Sequence, residues 1–583
     1  MICDVVFDLP RRAPFSYAVP SGLALQRGQR VSAPLHGRSR VGVVVALREG
    51  ESSALKSVER ALEAVPVLSA AGLELCRWAA EESLSSWGST MLALLPPVAG
   101  RAGDVVAPPP EPRPAAASSP ELWIGASREA RLAASLGSGG ESALVIAPDR
   151  QGAERWASRL DAARLDSGVP AAARRAAWFA AGRGRARIVV GTRAALLAPL
   201  PPPATMALID EHDPAHKPPG PPRIHSRDVL RRRAILEGSR LLMLSSTPSV
   251  ESWSLAESLQ AISGEAEETP WPEIITSDTR RILRNHPLTL PLTRAIEETT
   301  RRGLAVSLVV ARRSAALICP ECGELLRCRD CGVPLSFVRR ARLLDCRLCA
   351  SSGPAPESCP GCGGHRLSPF GWDPERVEAA VSRRFPRLSV SRADPRAQVV
   401  IGTAAVLRQV PPERLGCVGI IALDGLLGAP DFRGGERAFA LLWGAASAVA
   451  PGGRLVVQTL HPDHYAIQAV KSQDRRAFYK QELALRGELG YPPFRRLCTV
   501  AVRARSESEA RRRILECAEA VRGLAGLTAY PPAPAVSGAA TRWRFVIKGP
   551  AELPRLLGPP LAPFLEQRRR GGAVVEVEMD PVS

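Results

Sequence analysis

Over the first hundred residues the apolar positions fall in short alternating runs: VVFDL, FSYAV, RVSAPL and RVGVVVAL. Turn residues separate them, at Pro20-Ser21-Gly22 and at the HGRS stretch from His36 to Ser39. Alternation marks half-buried strands, so this part reads as a small, mostly β domain with a helix near Gly72–Glu82. The next stretch, RAGDVVAPPPEPRPAAASSP (101–120), is a Pro/Ala linker with nothing to bury. The pattern then changes to strands apolar along most of their length: ALVIAP (143–148), ARIVVGT (186–192), MALIDE (206–211) and RLLMLSS (240–246). A second set follows with AVSLVV (305–310), VVIGT (399–403), VGIIALD (418–424) and RLVVQT (454–459). Strands buried on both faces, alternating with amphipathic helices, predict two parallel α/β lobes in tandem. The last part, from about 466, reads as α+β, with a helix near 508–524 and a strand at WRFVIK (543–548).

Composition narrows the class. The chain has 583 residues, 45% hydrophobic and 23% charged, which excludes a disordered or fibrous chain and predicts three to five domains. No run of 18 uncharged apolar residues occurs, and MICDVVFDLPRR has no apolar core of a signal peptide. The expectation is a cytoplasmic protein with no membrane partner. Basic residues outnumber acidic ones 77 to 58, a net charge of +19, and such an excess points first to DNA or RNA. The plain alternative is solubility alone. Of the basic residues only five are lysine (Lys56, Lys217, Lys471, Lys480 and Lys548), and the rest are arginine. A GC-rich genome accounts for that bias, so arginine content is not itself a functional signal. Arginine clusters occur at 231–233, 339–340, 383–384, 511–513 and 568–570. Each is able to neutralise phosphates or simply to face solvent.

Eight of the thirteen cysteines lie between Cys319 and Cys362, in four Cys-x2-Cys knuckles: Cys319/Cys322, Cys328/Cys331, Cys346/Cys349 and Cys359/Cys362. Each knuckle offers two thiolates on one turn, and Zn²⁺ takes four in a tetrahedron. Three pairings of the knuckles are possible. The short spacer between Cys322 and Cys328 and the longer one between Cys331 and Cys346 favour nesting. Cys328, Cys331, Cys346 and Cys349 then form an inner site, and Cys319, Cys322, Cys359 and Cys362 an outer one. Sites closed by four protein ligands are structural, giving two structural zinc ions per chain. The remaining cysteines (Cys3, Cys76, Cys417, Cys498 and Cys517) read as buried apolar residues.

Chemistry of a different kind is hinted at by IDEHDPAHK (209–217). An Asp210-Glu211 pair at the end of a buried strand resembles the acidic box that holds Mg²⁺ in P-loop NTPases. GTRAALLAP (191–199) precedes it, and SRDVLRRRA (226–234) and LSSTPSVES (244–252) follow. That order resembles a superfamily 2 helicase core and, within it, the family of primosomal protein N′, the replication restart protein PriA. DFRGGERA (431–438), QTLHPDH (458–464), GELGYPPFRRL (487–497), the cysteine block and the first forty-odd residues extend the resemblance along most of the chain. The resemblance implies an ATP-dependent 3′→5′ DNA helicase acting in DNA replication, repair and recombination. It also implies an N-terminal domain that captures a 3′ end at a fork. Its partners would be branched, forked or single-stranded DNA, other primosome proteins, single-stranded DNA-binding protein and the replicative helicase.

The departures look like those of degenerate members from GC-rich, actinobacterial-type genomes. A Walker A loop needs a lysine after glycine to reach the β/γ-phosphates. No lysine here follows a glycine, and the corresponding stretch reads LWIGASREARLAA (122–134). Where the family places γ-phosphate-sensing arginines, LWGAASAVAPGGR (442–454) has Ala445 and Ala448. Asp210 and Glu211 then read as a structural remnant, with no catalytic residue assigned and ATP/Mg²⁺ in doubt. The family's winged-helix domain is replaced by the linker, and its Phe-Asp-Tyr motif is Phe15-Ser16-Tyr17. Phe15, Ser16, Tyr17 and Lys56 are the candidate DNA contacts, and the alternation of Phe15 and Tyr17 equally suits a strand with one buried face.

The expected fold is multidomain α/β: two helicase-like parallel-sheet lobes, a two-zinc ribbon inserted in the second, a β-rich N-terminal DNA-binding domain and an α+β C-terminal domain. The boundaries are an N-terminal 3′-end-type DNA-binding domain at 1–100, the linker at 101–120 and lobe 1, without Walker A, at 121–255. A connection with the start of lobe 2 takes 256–316, the zinc-binding insertion 317–366, the rest of lobe 2 367–465, and the C-terminal domain 466–583. The expected function is a DNA-binding replication restart protein that recognises stalled or branched forks and helps reload the replicative helicase without helicase activity of its own. Two alternatives stand beside it: an active helicase of the same family, and a zinc-ribbon adaptor with no role at forks.

Overall fold

The computed structural model describes residues 1–51, 53–98, 119–264, 270–280, 286–310, 316–329, 335–338, 342–346, 351–369, 372, 374–428, 431–535, 541–566 and 572–582. Most of the linker, Cys331, Cys349 and the arginines at 339–340 and 568–570 lie outside them. The chain divides into two compact units. One comprises Met1–Ala266, Arg495–Ala529 and Ile547–Val582, and the other Glu267–Phe494 and Tyr530–Val546.

The first unit opens with a five-stranded antiparallel sheet in the order Phe15–Ala18, Ile2–Phe7, Arg38–Arg48, Arg30–Leu35, Arg60–Ala61. Alternation puts Cys3, Val5, Phe7, Tyr17, Val31 and Val44 into one core. Two helices follow, Ala70–Glu82 and Trp87–Leu94, each started by a serine whose hydroxyl accepts a backbone N–H of the first turn (Ser69 from Gly72, Ser86 from Ser89). Next comes a seven-stranded, wholly parallel sheet. Its order is Ile262–Ser263, Glu121–Trp123, Arg240–Leu244, Ala204–Leu208, Ser142–Ile146, Ile188–Gly191, Ala163–Leu165. The four long strands read from the pattern occupy its middle. The three short ones at the edges have no such pattern.

The first unit closes with an antiparallel pair, Arg496–Ala504 against Val574–Met579, and the helices Glu507–Val521 and Leu553–Leu565. This last part is clasped to the lobe that carries the acidic box. The Lys217 ammonium donates to the Asp580 carbonyl at 2.7 Å and to that of Met579, and lies 3.4 Å from Glu578. Arg223 reaches Glu576 at 3.5 Å. Arg496 pairs with Asp580 at 2.6 Å and with Glu82 of the N-terminal domain at 3.1 Å.

The second unit is built on a six-stranded parallel sheet, Glu273–Asp278, Arg454–Thr459, Leu415–Ile421, Ala305–Val310, Val399–Gly402, Val390–Ser391. Ala305–Val310 is buried at every position, which is why it reads as an unbroken apolar run. The cysteine-rich segment leaves this sheet after Val310 and adds two small antiparallel sheets. One pairs Leu317–Ile318 with Ser368–Pro369, and the other pairs Ser336–Val338, Leu343–Asp345 and Ser352–Pro354.

Candidate metal centre and nucleic-acid interface

Cys319 follows directly on the strand Leu317–Ile318, and its knuckle is matched bond for bond by the one at Cys359. Gly323 N–H donates to the Cys319 carbonyl (2.9 Å) and Gly363 N–H to that of Cys359 (2.8 Å). Cys319 N–H donates to Glu324, and Cys359 N–H to Gly364. Gly323 and Gly363 hold φ of 81° and 74°, a left-handed turn that a side chain would strain. The two knuckles face each other, with Cys319 Sγ 3.6 Å from Cys362 and Cys322 Sγ 3.6 Å from Cys359. All four sulfurs lie within 4.8 Å of one another. Thiolates at about 2.3 Å from a tetrahedral ion stand roughly 3.8 Å apart, so this group can hold a metal ion. It is the outer set of the nested pairing. Of the inner set, Cys328 and Cys346 are buried, at 4% and 1% exposure, while Cys331 and Cys349 fall outside the described residues.

The acidic box is engaged within the protein. Glu211 is fully buried, and its carboxylate accepts four hydrogen bonds from the protein. Oε1 accepts from Arg227 Nη1 (2.6 Å), Ser252 Oγ (2.6 Å) and Ser249 Oγ (2.7 Å), and Oε2 accepts the Ser249 N–H (3.0 Å). Burial alone would raise this carboxyl. Arg227 and the serine hydrogen bonds outweigh it and hold the group below the usual carboxylate range. Asp210, at φ 48°, turns aside to lie 3.7 Å from Arg128. Four residues, 124–127, join the strand Glu121–Trp123 to the helix Arg128–Ser138. A Walker A motif takes roughly eight. Arg128, first in the helix, turns back to the Gly125 carbonyl at 2.7 Å. Ala445 is wholly buried in the helix Gly434–Ala448.

In the N-terminal domain the candidate DNA contacts separate by face. Tyr17 is in the core at 3% exposure, its hydroxyl donating to Pro34 O at 3.1 Å. Phe15 packs edge-on to Phe7 at 5.7 Å, with Arg11 over its ring at 4.6 Å. Ser16 points the other way. Strand register sets it opposite Asp4, to which it donates at 2.7 Å, and Arg48 donates to Ser16 at 3.1 Å. Lys56 is exposed, and its carbonyl accepts the Ala18 N–H at 2.9 Å.

The arginine clusters largely make internal pairs. Arg233 is 3% exposed and bonds Glu237 and two carbonyls. Arg232 pairs with Glu74, Arg384 with Glu297, and Arg512 and Arg513 with Glu516. Arg227, Ser249 and Ser252 sit inside motifs quoted from the sequence, but nothing there marks them as partners of Glu211. Asp4 and Arg48 carry no motif signal at all.

Residues 4–96 match the family model described as the 3′DNA-binding domain (3′BD) of PriA, and residues 487–582 match the primosomal protein N C-terminal domain. The replication restart protein PriA of Treponema pallidum is 29% identical over 669 aligned positions, covering 100% of this chain and 99% of the relative. That of Bacillus subtilis is 28% identical over 62% of this chain and 50% of the relative. The probable replication restart protein PriA of Deinococcus radiodurans is 30% identical over 79% of this chain. The chain thus spans about half the length of the Bacillus and Deinococcus relatives, 50% and 53%. Among solved structures, RecG bound to a three-way DNA junction shows a distant likeness, with 11% identity and a TM-score of 0.36 over 63% of this chain. With both terminal domains matched by the family's own models and a relative aligned from end to end, the chain belongs to the replication restart protein PriA family.

Proposed function

We propose that this protein binds forked or branched DNA in replication restart, and helps reload the replicative helicase without unwinding DNA itself. The observation that carries the second half is the Glu211 carboxylate, closed off by Arg227, Ser249 and Ser252. A fully buried carboxylate that already accepts four hydrogen bonds from the protein is poorly placed to hold a metal-bound water. The loop before Arg128 has four residues, about half the length of a phosphate-cradling Walker A motif. The first half rests on the match of residues 4–96 to a 3′-DNA-binding domain and on the net charge of +19.

At that domain Ser16 and Lys56 meet the strand end, with Phe15 beside them and Tyr17 holding the sheet from beneath. Asp4 supplies next to Ser16 a carboxylate able to accept a terminal hydroxyl proton. The zinc segment carries two structural ions, one on Cys319, Cys322, Cys359 and Cys362, the other on Cys328, Cys331, Cys346 and Cys349. Together with the C-terminal domain it presents surfaces to partner proteins. The active-helicase reading draws on the two parallel lobes but needs a phosphate-binding lysine that no position supplies.

The test is binding to a fork and to linear duplex of equal length at one fixed salt concentration, since phosphate-driven affinity shifts steeply with salt. The fork is expected to bind more tightly, by tenfold or more. A 3′-phosphate in place of the leading-strand 3′-hydroxyl, or Asp4→Ala, is expected to erase most of that preference. Equal affinity for fork and linear duplex would favour the adaptor reading.

A further inference from the structure

The strands Leu415–Ile421 and Arg454–Thr459 lie side by side in the parallel sheet of the second unit. In such sheets ligands bind in the crevice outside the carboxyl ends. Just beyond those two ends is a cavity of about 90 Å³, several times the roughly 10–15 Å³ that one water needs. Its floor is Asp424, three residues past the first strand, and His461 and His464, just past the second. Its roof comes from the cysteine-rich segment, as Ile318, Leu325 and Arg327. Ile318 and Leu325 share a small apolar cluster with Leu460, which fixes the roof on the floor.

The polar groups are pre-set. His464 Nδ1 accepts the Ala466 N–H at 3.2 Å, so its proton sits on Nε2. Burial, then the nearby His461 and Arg327, push this imidazole down to about 4, so it is a neutral donor at physiological pH. Thr459 Oγ1 and Leu460 N–H donate to the Asp424 carboxylate at 2.8 and 3.0 Å. Burial pushes the Asp424 carboxyl above its usual range, against the hydrogen bonds from Thr459 and Leu460 that pull it down. A divalent cation suits the site less. Among the described residues, the four cysteines are the one group whose ligand atoms converge as a metal requires.

We propose that this cavity binds a phosphate monoester dianion, held by the Arg327 guanidinium and the imidazoles of His461 and His464 between apolar walls. A guanidinium in a partly desolvated pocket is suited to phosphate, because charge-assisted hydrogen bonds strengthen as water is excluded. Because Arg327 belongs to the cysteine-rich segment and the histidines to the lobe, the bound anion ties one to the other. This site is independent of the N-terminal DNA contacts.

The source of the phosphate is a free small anion or the 5′ end of a strand. The test titrates zinc-loaded full-length protein, followed by ³¹P NMR and calorimetry. One arm uses inorganic phosphate, and the other a short single strand with and without a 5′-phosphate. His464→Asn keeps the helix cap, since Asn also accepts the Ala466 N–H, but removes the Nε2 donor. It is expected to weaken binding roughly tenfold, the size of one charge-assisted hydrogen bond. Arg327→Gln is expected to abolish binding, with zinc content checked because Cys328 is adjacent. Saturable binding of the 5′-phosphorylated strand, with inorganic phosphate competing, identifies a strand end; binding of inorganic phosphate alone identifies a small anion. Either, weakened in His464→Asn and lost in Arg327→Gln, supports the proposal. No saturable binding in either arm, or variants that bind like wild type with zinc intact, would overturn it.

Discussion

At the scale of single residues, Glu211 shows how a motif legible in the sequence takes its surroundings from residues far along the chain. The Asp-Glu pair is readable in the sequence, but its meaning is set by Arg227, sixteen positions on, and by two serines beyond that. Helix geometry does not reveal such a contact, because it depends on how the helix Ser226–Glu237 docks beside the strand Ala204–Leu208. Glu211→Gln is therefore expected to destabilise the lobe by about 1–3 kcal/mol, leaving Arg227 buried with a weaker partner. Fork affinity of the folded variant should stay unchanged.

The pH dependence has a definite sign. A carboxyl held below its unfolded value of about 4.3 contributes stability above that pH and loses it as pH falls through the folded value. The gap in urea midpoint between wild type and Glu211→Gln should be full at neutral pH and close in acid below about pH 4. A gap that persists unchanged in strong acid would mean that the ionised carboxylate is not what stabilises the lobe. Asp4 gives the same lesson at the N-terminal sheet. Ser16 stands in the motif, but only strand register brings a carboxylate opposite it.

At the scale of elements, legibility follows burial and local chemistry. The eight long strands were readable because parallel strands covered on both faces must be apolar throughout. The short strands Glu121–Trp123, Ala163–Leu165 and Ile262–Ser263 were not, being only two or three residues long. The helix Leu553–Leu565 was hidden for a different reason. It contains Pro559, Pro560 and Pro563, each of which removes a backbone donor and costs about 3 kcal/mol in a typical helix interior. What holds it is the row of Leu553, Leu557 and Leu561, all fully buried. The cysteine knuckles lie at the other extreme, because spacing alone specifies the turn. The outer partnership is visible in the facing pairs Cys319–Cys362 and Cys322–Cys359. Cys319→Ser is expected to lower bound zinc from two ions per chain to one and to loosen the outer pair of strands, while the parallel lobes stay folded. Two zinc ions retained in that variant would remove Cys319 from the ligand set.

At the scale of the whole molecule, the first unit joins three stretches of chain that a linear reading keeps apart. Lys217, one of only five lysines, spends its charge on the carbonyls of Met579 and Asp580. Arg223 and Arg496 add further links between the acidic-box segment, the N-terminal domain and the last strand. The segment that follows the acidic box thus serves as a strut between domains. A strut of this kind keeps the DNA-binding sheet and the C-terminal domain in one body, as a scaffold needs. Nothing in the linear pattern announces it, since the partners of Lys217 lie more than three hundred residues away.

On the function proposed above, fork recognition is separated from ATP-driven unwinding. The most direct measurement is ATP turnover by zinc-loaded full-length protein saturated with forked DNA, with binding of that fork shown in the same preparation. Tight fork binding is expected, with no hydrolysis above the protein-free background. Turnover that rises with added fork would contradict that separation, and would mean that a phosphate site operates without the lysine and the free carboxylate on which such sites depend.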